Sequence, residues 1–330
     1  MKLKNYLFDM AFYNGLGETE IRIVGVSENV TDLLKDIKKV KGHGHIKWVA
    51  ETMKIPRRTF NGLLCGSSPI QISQIIKLLK IWQNVCGRNK KELNKKYKAF
   101  FLNSQSFTIE KGKKVSLPKN ISKELAYLLG FLFGDGCLTD FRKARVNRNR
   151  SMYPIQIAVN TKQCADEILF LFKKVFDLNG KIYDLNCNCK EFFIHSKVLY
   201  IFLNKICEMP IGKKKGKLRV PKIIKDSPIE FKSNFIAGFF DADGFLSVKR
   251  RSIVIDQADD RILMEIADLL DEMGIKTRRI YICKKELGTT YSLTVSWSST
   301  KDFINKAPFL DSTKIRKANE ILSNLALIGK

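Results

Sequence analysis

The chain has 330 residues, 45% of them hydrophobic, and carries 59 lysines and arginines against 33 acids, a net charge of +26. That apolar content supplies two or three folded cores and excludes global disorder, and no run of eighteen apolar residues or secretory apolar stretch (the chain opens MKLKNYLFDMAFYNG) marks a membrane or export segment. Eight cysteines are too sparse for a disulfide scaffold and point to a reducing cytoplasm; the basic excess, net +14 over residues 1–120, +11 over 121–225 and +1 over 226–330, points to nucleic acid.

The first predicted element is a strand in EIRIVGV, from Glu20. The stretch IKWVAETMKIPRRTFNGLLCGSSPIQISQIIKLLKIW, from Ile46, then has the pattern of a helix-turn-helix of the phage-repressor type. Val49, Ala50 and Met53 form the apolar face of its first helix, and Ile55 and Pro56 its turn. Arg57, Arg58, Thr59 and Asn61 open the second helix, where such motifs reach the major groove. Residues 66–69 form a loop before a third helix over 70–79. The sequence GHGH, from Gly42, reads as a glycine-rich loop ahead of the first helix rather than a metal site. GRNKKELNKKYK, from Gly87, is a basic helix or linker.

An internal repeat organises the rest. ELAYLLGFLFGDGCL, from Glu124, and NFIAGFFDADGFL, from Asn234, both run apolar, small, glycine, apolar, and both end in Asp-Gly; Asp135 and Asp243 align 108 residues apart. Each is followed by a short alternating strand, a polar cap and an amphipathic helix. Ile168, Leu169, Leu171, Phe172 and Val175 mark the helical stripe of the first copy, and Ile262, Leu263, Ile266, Leu269 and Leu270 that of the second. A further strand, a serine and a helix complete each copy, giving helix, hairpin, helix, hairpin, helix, or αββαββα. KLRVPKII at Lys217 and KIRKANEIL at Lys314 then run in parallel. Basic residues gather on the hairpins: Arg142, Arg145 and Arg148 in copy one, Lys249, Arg251 and Arg278 in copy two. NCNCKEFFIH holds Cys187, Cys189 and His195, but its spacing fits a hairpin turn better than a zinc site.

Gly130 and Gly134, and likewise Gly238 and Ala242, lie four apart. Small residues at that spacing make a flat stripe on which two helix backbones approach closely. Two such helices side by side would bring Asp135 and Asp243 together at their lower ends. Carboxylates that close repel, and a divalent cation such as Mg²⁺ would relieve the repulsion.

These residues resemble the LAGLIDADG homing endonucleases, whose two signature helices match LLGFLFGDG and IAGFFDADG; the first departs at Phe133, where an acid is frequent. The resemblance covers about residues 121–330. It implies saddle-shaped sheets in the DNA major groove, Asp135 and Asp243 as metal-binding acids, and one basic residue per repeat beside the metal. Lys314 takes that role in copy two, and Lys217, with Arg219 as the alternative, in copy one. It further implies a polar residue that orients water, Gln257, with Asn160 or Thr161 as the counterpart.

The resulting expectation is an α+β chain of two pseudo-twofold-related αββαββα repeats with antiparallel DNA-binding sheets and a mainly helical N-terminal domain. Its parts are residues 1–118, 119–225 and 226–330. The chain is expected to be a monomeric, cytoplasmic, free-standing, Mg²⁺-dependent endonuclease that cuts double-stranded DNA at a long pseudo-palindromic target. A transcription regulator on the same scaffold and a maturase binding intron RNA are the alternatives. The chain lacks a nucleophilic first residue and a terminal His-Asn, so protein splicing is not expected.

Overall fold

The computed structural model describes residues 20–110, 112–139, 153–184, 190–285 and 288–328. Arg142, Arg145, Arg148, Cys187 and Cys189 lie outside the described residues. The architecture is α+β, with two αββαββα repeats, antiparallel sheets and a mainly helical N-terminal part. The chain divides into two compact units, residues 1–120 with 196–206, and residues 121–195 with 207–330. Among the described residues no helix is long and apolar enough to cross a membrane.

In the first unit, β1 (Arg22–Val24) lies between β2 (Ile70–Gln71) and β3 (Ser106–Thr108) in an antiparallel sheet. Around it stand α1 (Ser27–Lys41), α2 (His45–Met53), α3 (Arg57–Leu64), α4 (Ile72–Val85) and α5 (Lys90–Leu102). Val49, Ala50 and Met53 of α2 are buried, as are Phe60 and Leu63 of α3. Three residues separate these helices, and Lys54 turns the chain with a left-handed φ of 56°.

One expectation changes here, and one is narrowed. The third helix does not begin at residue 70: Ile70 and Gln71 pair with Ile23 and Arg22 as a strand. A capping box between Gln71 and Gln74 sets the helix start at Ile72. Of the two alternatives for the basic segment after Gly87, the structure shows the helix. Asn89 and Glu92 cap α5 reciprocally at 3.0 and 3.2 Å, and Leu93, Tyr97, Phe100 and Phe101 are buried.

Repeat one comprises α6 (Lys123–Asp135), β4 (Gly136–Leu138), β5 (Pro154–Val159), α7 (Lys162–Phe176), β6 (Lys181–Asp184), β7 (Lys190–His195) and α8 (Lys197–Lys205). The short α9 (Lys222–Lys225) precedes repeat two. That repeat comprises α10 (Ile229–Asp243), β8 (Gly244–Ser247), β9 (Ser252–Gln257), α11 (Asp260–Glu272), β10 (Tyr281–Lys285), β11 (Gly288–Thr294) and α12 (Thr300–Lys306), with α13 (Ser312–Ile328) beyond. The sheets share one order, β4-β5-β7-β6 and β8-β9-β11-β10. Their registers also match, since Gly136 pairs with Ile157 and Gly244 with Ile255.

Each sheet buries one face against a helix. Ile168, Leu171 and Phe172 of α7 are buried, and so are all five residues of the α11 stripe. The parallel between KLRVPKII and KIRKANEIL does not hold, because the first runs into the four-residue α9 and the second lies within the 17-residue α13.

Candidate active site at the paired helix ends

The α6–α10 pair is built on reciprocal backbone contact. A Cβ on Gly130 would overlap the Phe235 carbonyl oxygen and stand 2.7 Å from the Phe239 amide nitrogen. A Cβ on Gly238 would overlap the Tyr127 carbonyl oxygen and stand 3.0 Å from the Phe131 nitrogen. Gly134 instead faces side chains: a Cβ there would overlap the Ala242 methyl and stand 2.8 Å from Asp243 Oδ2. Gly130 and Gly238 are each required because the other helix's backbone occupies the space a side chain would take. The exchange relates position n of α6 to position n + 108 of α10.

At the lower end, both acids are half-buried. Burial pushes the Asp135 carboxyl up to about 6, against the pull of Lys214 and Lys314. Asp243 is pushed up by burial and then by the charge of Asp135, and held down by Lys214, the Gln257 amide and Lys314. Gln257 Nε2 donates to Asp243 Oδ2. The two acids thus share one poorly solvated pocket of charge.

One lysine closes each helix. Lys314 Nζ donates to the carbonyls of Phe240 at 2.6 Å and Asp241 at 2.7 Å. In repeat one the matching ammonium is Lys214. It donates to Leu132 at 3.3 Å, to Phe133 at 2.9 Å and to Gly134. Both satisfy orphan carbonyls at a helix C-terminus, where positive charge is favoured. Burial lowers the pKa of each, and Asp135 and Asp243 oppose that shift in both.

Lys217 is exposed in the loop that follows, and its backbone N–H donates to Lys214 O at 2.9 Å. The structure therefore brings Lys214, and not Lys217, to the end of α6. Arg219 turns back to the carbonyl of its neighbour Leu218, at 2.6 Å. The sequence does not single out Lys214. Pro210 in EMPIGKKK matches Pro308 in KAPFLDSTK, but the lysine follows four residues after one and six after the other. The comparison of Lys-Leu-Arg with Lys-Ile-Arg hid this two-residue gap.

The matched strand registers make Val159 the counterpart of Gln257 in repeat one. Val159 is buried and has no polar group to offer Asp135. Thr161 instead caps α7, accepting from Cys164 N at 3.1 Å, and Asn160 is exposed.

Sequence reasoning also passed over Asp241. It is buried at 8% exposure, and its Oδ2 accepts from Tyr127 Oη at 2.6 Å, Leu310 N at 2.7 Å and Asp311 N at 3.3 Å. Burial raises its pKa in spite of these donors.

The remaining predicted residues lie elsewhere. Lys249 and Arg278 are exposed, the first in the turn between β8 and β9 and the second ahead of β10. Arg251, in the same turn as Lys249, is half-buried with its guanidinium 5.4 Å from the Trp297 ring. In the first unit Arg57, Arg58, Thr59 and Asn61 are all exposed on α3. His195 packs edge-on against Phe193 with centroids 4.5 Å apart. His45 opens α2, with Nδ1 3.2 Å from the Gly42 carbonyl.

Two helices are thus joined through glycines, end in paired acids and are each continued by a hairpin of their repeat. The chain is similar to the LAGLIDADG proteins, and residues 230–307 match the profile of the LAGLIDADG-like domain. The homing endonuclease I-ApeI of Aeropyrum pernix is 25% identical over 200 residues, covering 59% of this chain and 87% of that protein. A glutamine–fructose-6-phosphate aminotransferase of Methanocaldococcus jannaschii is 27% identical over 215 residues, 64% of this chain and 18% of the aminotransferase. The chain therefore spans less than a fifth of that relative. Among solved structures, I-DmoI in complex with DNA and Ca is 22% identical, with a TM-score of 0.45, covering 57% of this chain and 90% of that one.

Proposed function

We propose that this chain is a site-specific double-strand DNA endonuclease that hydrolyses phosphodiesters at the joined ends of α6 and α10. The observation that carries the proposal is the meeting of Asp135, Asp243, Lys214 and Lys314, whose charges act on one another in a half-buried site. Retention of both acids favours an enzyme over a regulator.

The residues present fit a divalent cation. Two carboxylates burdened by burial and by their mutual repulsion gain from a shared positive charge. Both donors are carboxylate oxygens, which suits a hard cation that keeps water or phosphate oxygens in its shell. Asp135 and Asp243 would hold it. When bound, such an ion lowers the pKa of water and offsets charge developing on a phosphate. Gln257 fixes the orientation of Asp243 through its amide. The two lysines bring positive charge toward the position of a scissile phosphate.

The outer sheet faces and the exposed turn carrying Lys249 and Arg251 would meet the major groove, with Arg57, Arg58, Thr59 and Asn61 of α3 as a second contact. The test is cleavage of a randomised duplex library in Mg²⁺, with Asp135→Asn and Asp243→Asn alongside. Recovery of cut molecules sharing one sequence, abolished in both variants, is the expected result. Tight DNA binding with no cleavage of any duplex would overturn the proposal.

A further inference from the structure

The two halves of the site are not held in the same way. Under the 108-residue relation Tyr127 corresponds to Phe235, and Phe133 to Asp241. Tyr127 and Asp241 meet as a hydrogen bond of 2.6 Å, whereas Phe133 and Phe235 meet edge-to-face with centroids 5.9 Å apart. The polar pair does more than join two helices. Asp241 Oδ2 also accepts the backbone N–H groups of Leu310 and Asp311, in the segment that leads to Lys314. Asp311 Oδ1 in turn accepts from Lys314 N at 2.9 Å, and Ser312 Oγ bonds Gln163 Oε1 at 2.8 Å, tying the segment to α7. In repeat one Phe133 stands in place of the carboxylate, and the Lys214 loop is held by other bonds: Gly216 N donates to Asp259 Oδ2 at 2.7 Å and Gly212 N to Leu138 O at 2.8 Å.

We infer that Asp241, supported by the Tyr127 hydroxyl, is a positioning residue that fixes residues 310–314 and so places Lys314 at the end of α10, while Lys214 is placed independently of it. The second carboxylate oxygen, Oδ1, is buried with no hydrogen-bond partner among the described residues. Burying half of a carboxylate unpaired is costly, and a simple packing role would be better filled by an apolar residue, as Phe133 fills it in repeat one. The acceptor is therefore retained for what its other oxygen orders. The role deepens the endonuclease reading and rests on it for its consequence in cleavage, but the placement of Lys314 can be read without activity.

The experiment is reductive methylation of the full-length protein with formaldehyde and cyanoborohydride, with mass spectrometry of each lysine. In the wild type, Lys314 and Lys214 should label slowly compared with exposed lysines such as Lys217. Asp241→Ala should speed labelling of Lys314 roughly tenfold, in proportion to the buried bonds it removes, and leave Lys214 unchanged. Asp241→Asn, which can still accept the backbone N–H groups, should restore most of the protection. Tyr127→Phe keeps the buried ring, removes one donor, and should give a smaller rise at Lys314 alone. Lys314 labelling unchanged in all three variants, or Lys214 rising in step with it, overturns the inference. Strand-resolved cleavage of a library-selected duplex separates the two readings. An inert wild type with Lys314 released in Asp241→Ala counts against the endonuclease and leaves the positioning role standing.

Discussion

Tyr127 and Asp241 join α6 to α10 by a hydrogen bond of 2.6 Å at a place where the pseudosymmetric positions, Phe235 and Phe133, make an aromatic contact. One axis therefore relates two interactions of different chemistry. The glycine contacts beside them keep the symmetry strictly, with Gly130 against Phe235 and Gly238 against Tyr127. Backbone packing is shared by both repeats, and side-chain ordering is not.

Gly130→Ala and Gly238→Ala should each destabilise the second unit, because the added methyl meets a carbonyl oxygen that cannot move without parting the helices. Overpacking of this kind costs about 3 kcal/mol at the upper end of its usual range. For a unit of this size that is a fall of roughly 6–12 °C in Tm. Differential scanning calorimetry checks it; an unchanged Tm would mean the helices are not in contact there.

Stability without divalent cations should fall as pH rises from about 4 toward 8, starting from the ordinary carboxylate range. The sign follows from Asp135, whose folded carboxyl titrates near 6, above its unfolded value, with Asp243 raised as well. The folded chain then binds more protons than the unfolded one across that window, so deprotonation favours unfolding. Asp135→Asn should flatten the slope. Mg²⁺ should raise Tm more at pH 8 than at pH 5, and EDTA should reverse the gain. Thermal melts across pH, with and without Mg²⁺, measure all three.

Lys214→Met should lower the single-turnover cleavage rate of a selected duplex about 100-fold, the scale of removing a charge-stabilising donor. Lys217→Met, which removes an exposed ammonium in the adjoining loop, should stay within about twofold of wild type, since exposed charges away from the reacting atoms contribute little. Equal effects in the two variants would place the basic group of repeat one elsewhere.

Arg57→Ala and Arg58→Ala should weaken duplex binding and reduce the slope of log affinity against log salt by about one for each phosphate no longer neutralised. Cleavage at saturating DNA should be unchanged, because neither residue belongs to the unit that holds the acids. Fluorescence anisotropy titrations at several salt concentrations provide the measurement.

Much of this arrangement was legible in the residues. Asp-Gly endings 108 residues apart, each behind a glycine-bearing apolar helix, located α6 and α10 and the acids at their ends. The alternating strands and the stripe from Ile262 to Leu270 gave the sheets their helical cover. Local signals failed where placement depends on chain length between fixed points. Lys214 sits among Lys213, Lys215 and Lys217, and only the fold decides which of these ammoniums reaches Gly134. Ile70 and Gln71 look like the first turn of α4, yet pairing with β1, distant in sequence, claims them for a sheet. Nothing local marks Asp241, because its partners, Tyr127 and Leu310, come from either side of it at long range.

The unequal Tyr127–Asp241 and Phe133–Phe235 contacts bear on what the duplicated halves have become. Two copies of repeat one would set the Tyr127 hydroxyl against Phe133, stranding a buried donor, and two copies of repeat two would press the Asp241 carboxylate onto Phe235. Each like-with-like assembly loses the Tyr127–Asp241 hydrogen bond, which the mixed one makes. The halves have turned from twins into complements, and if made as separate chains they should select each other.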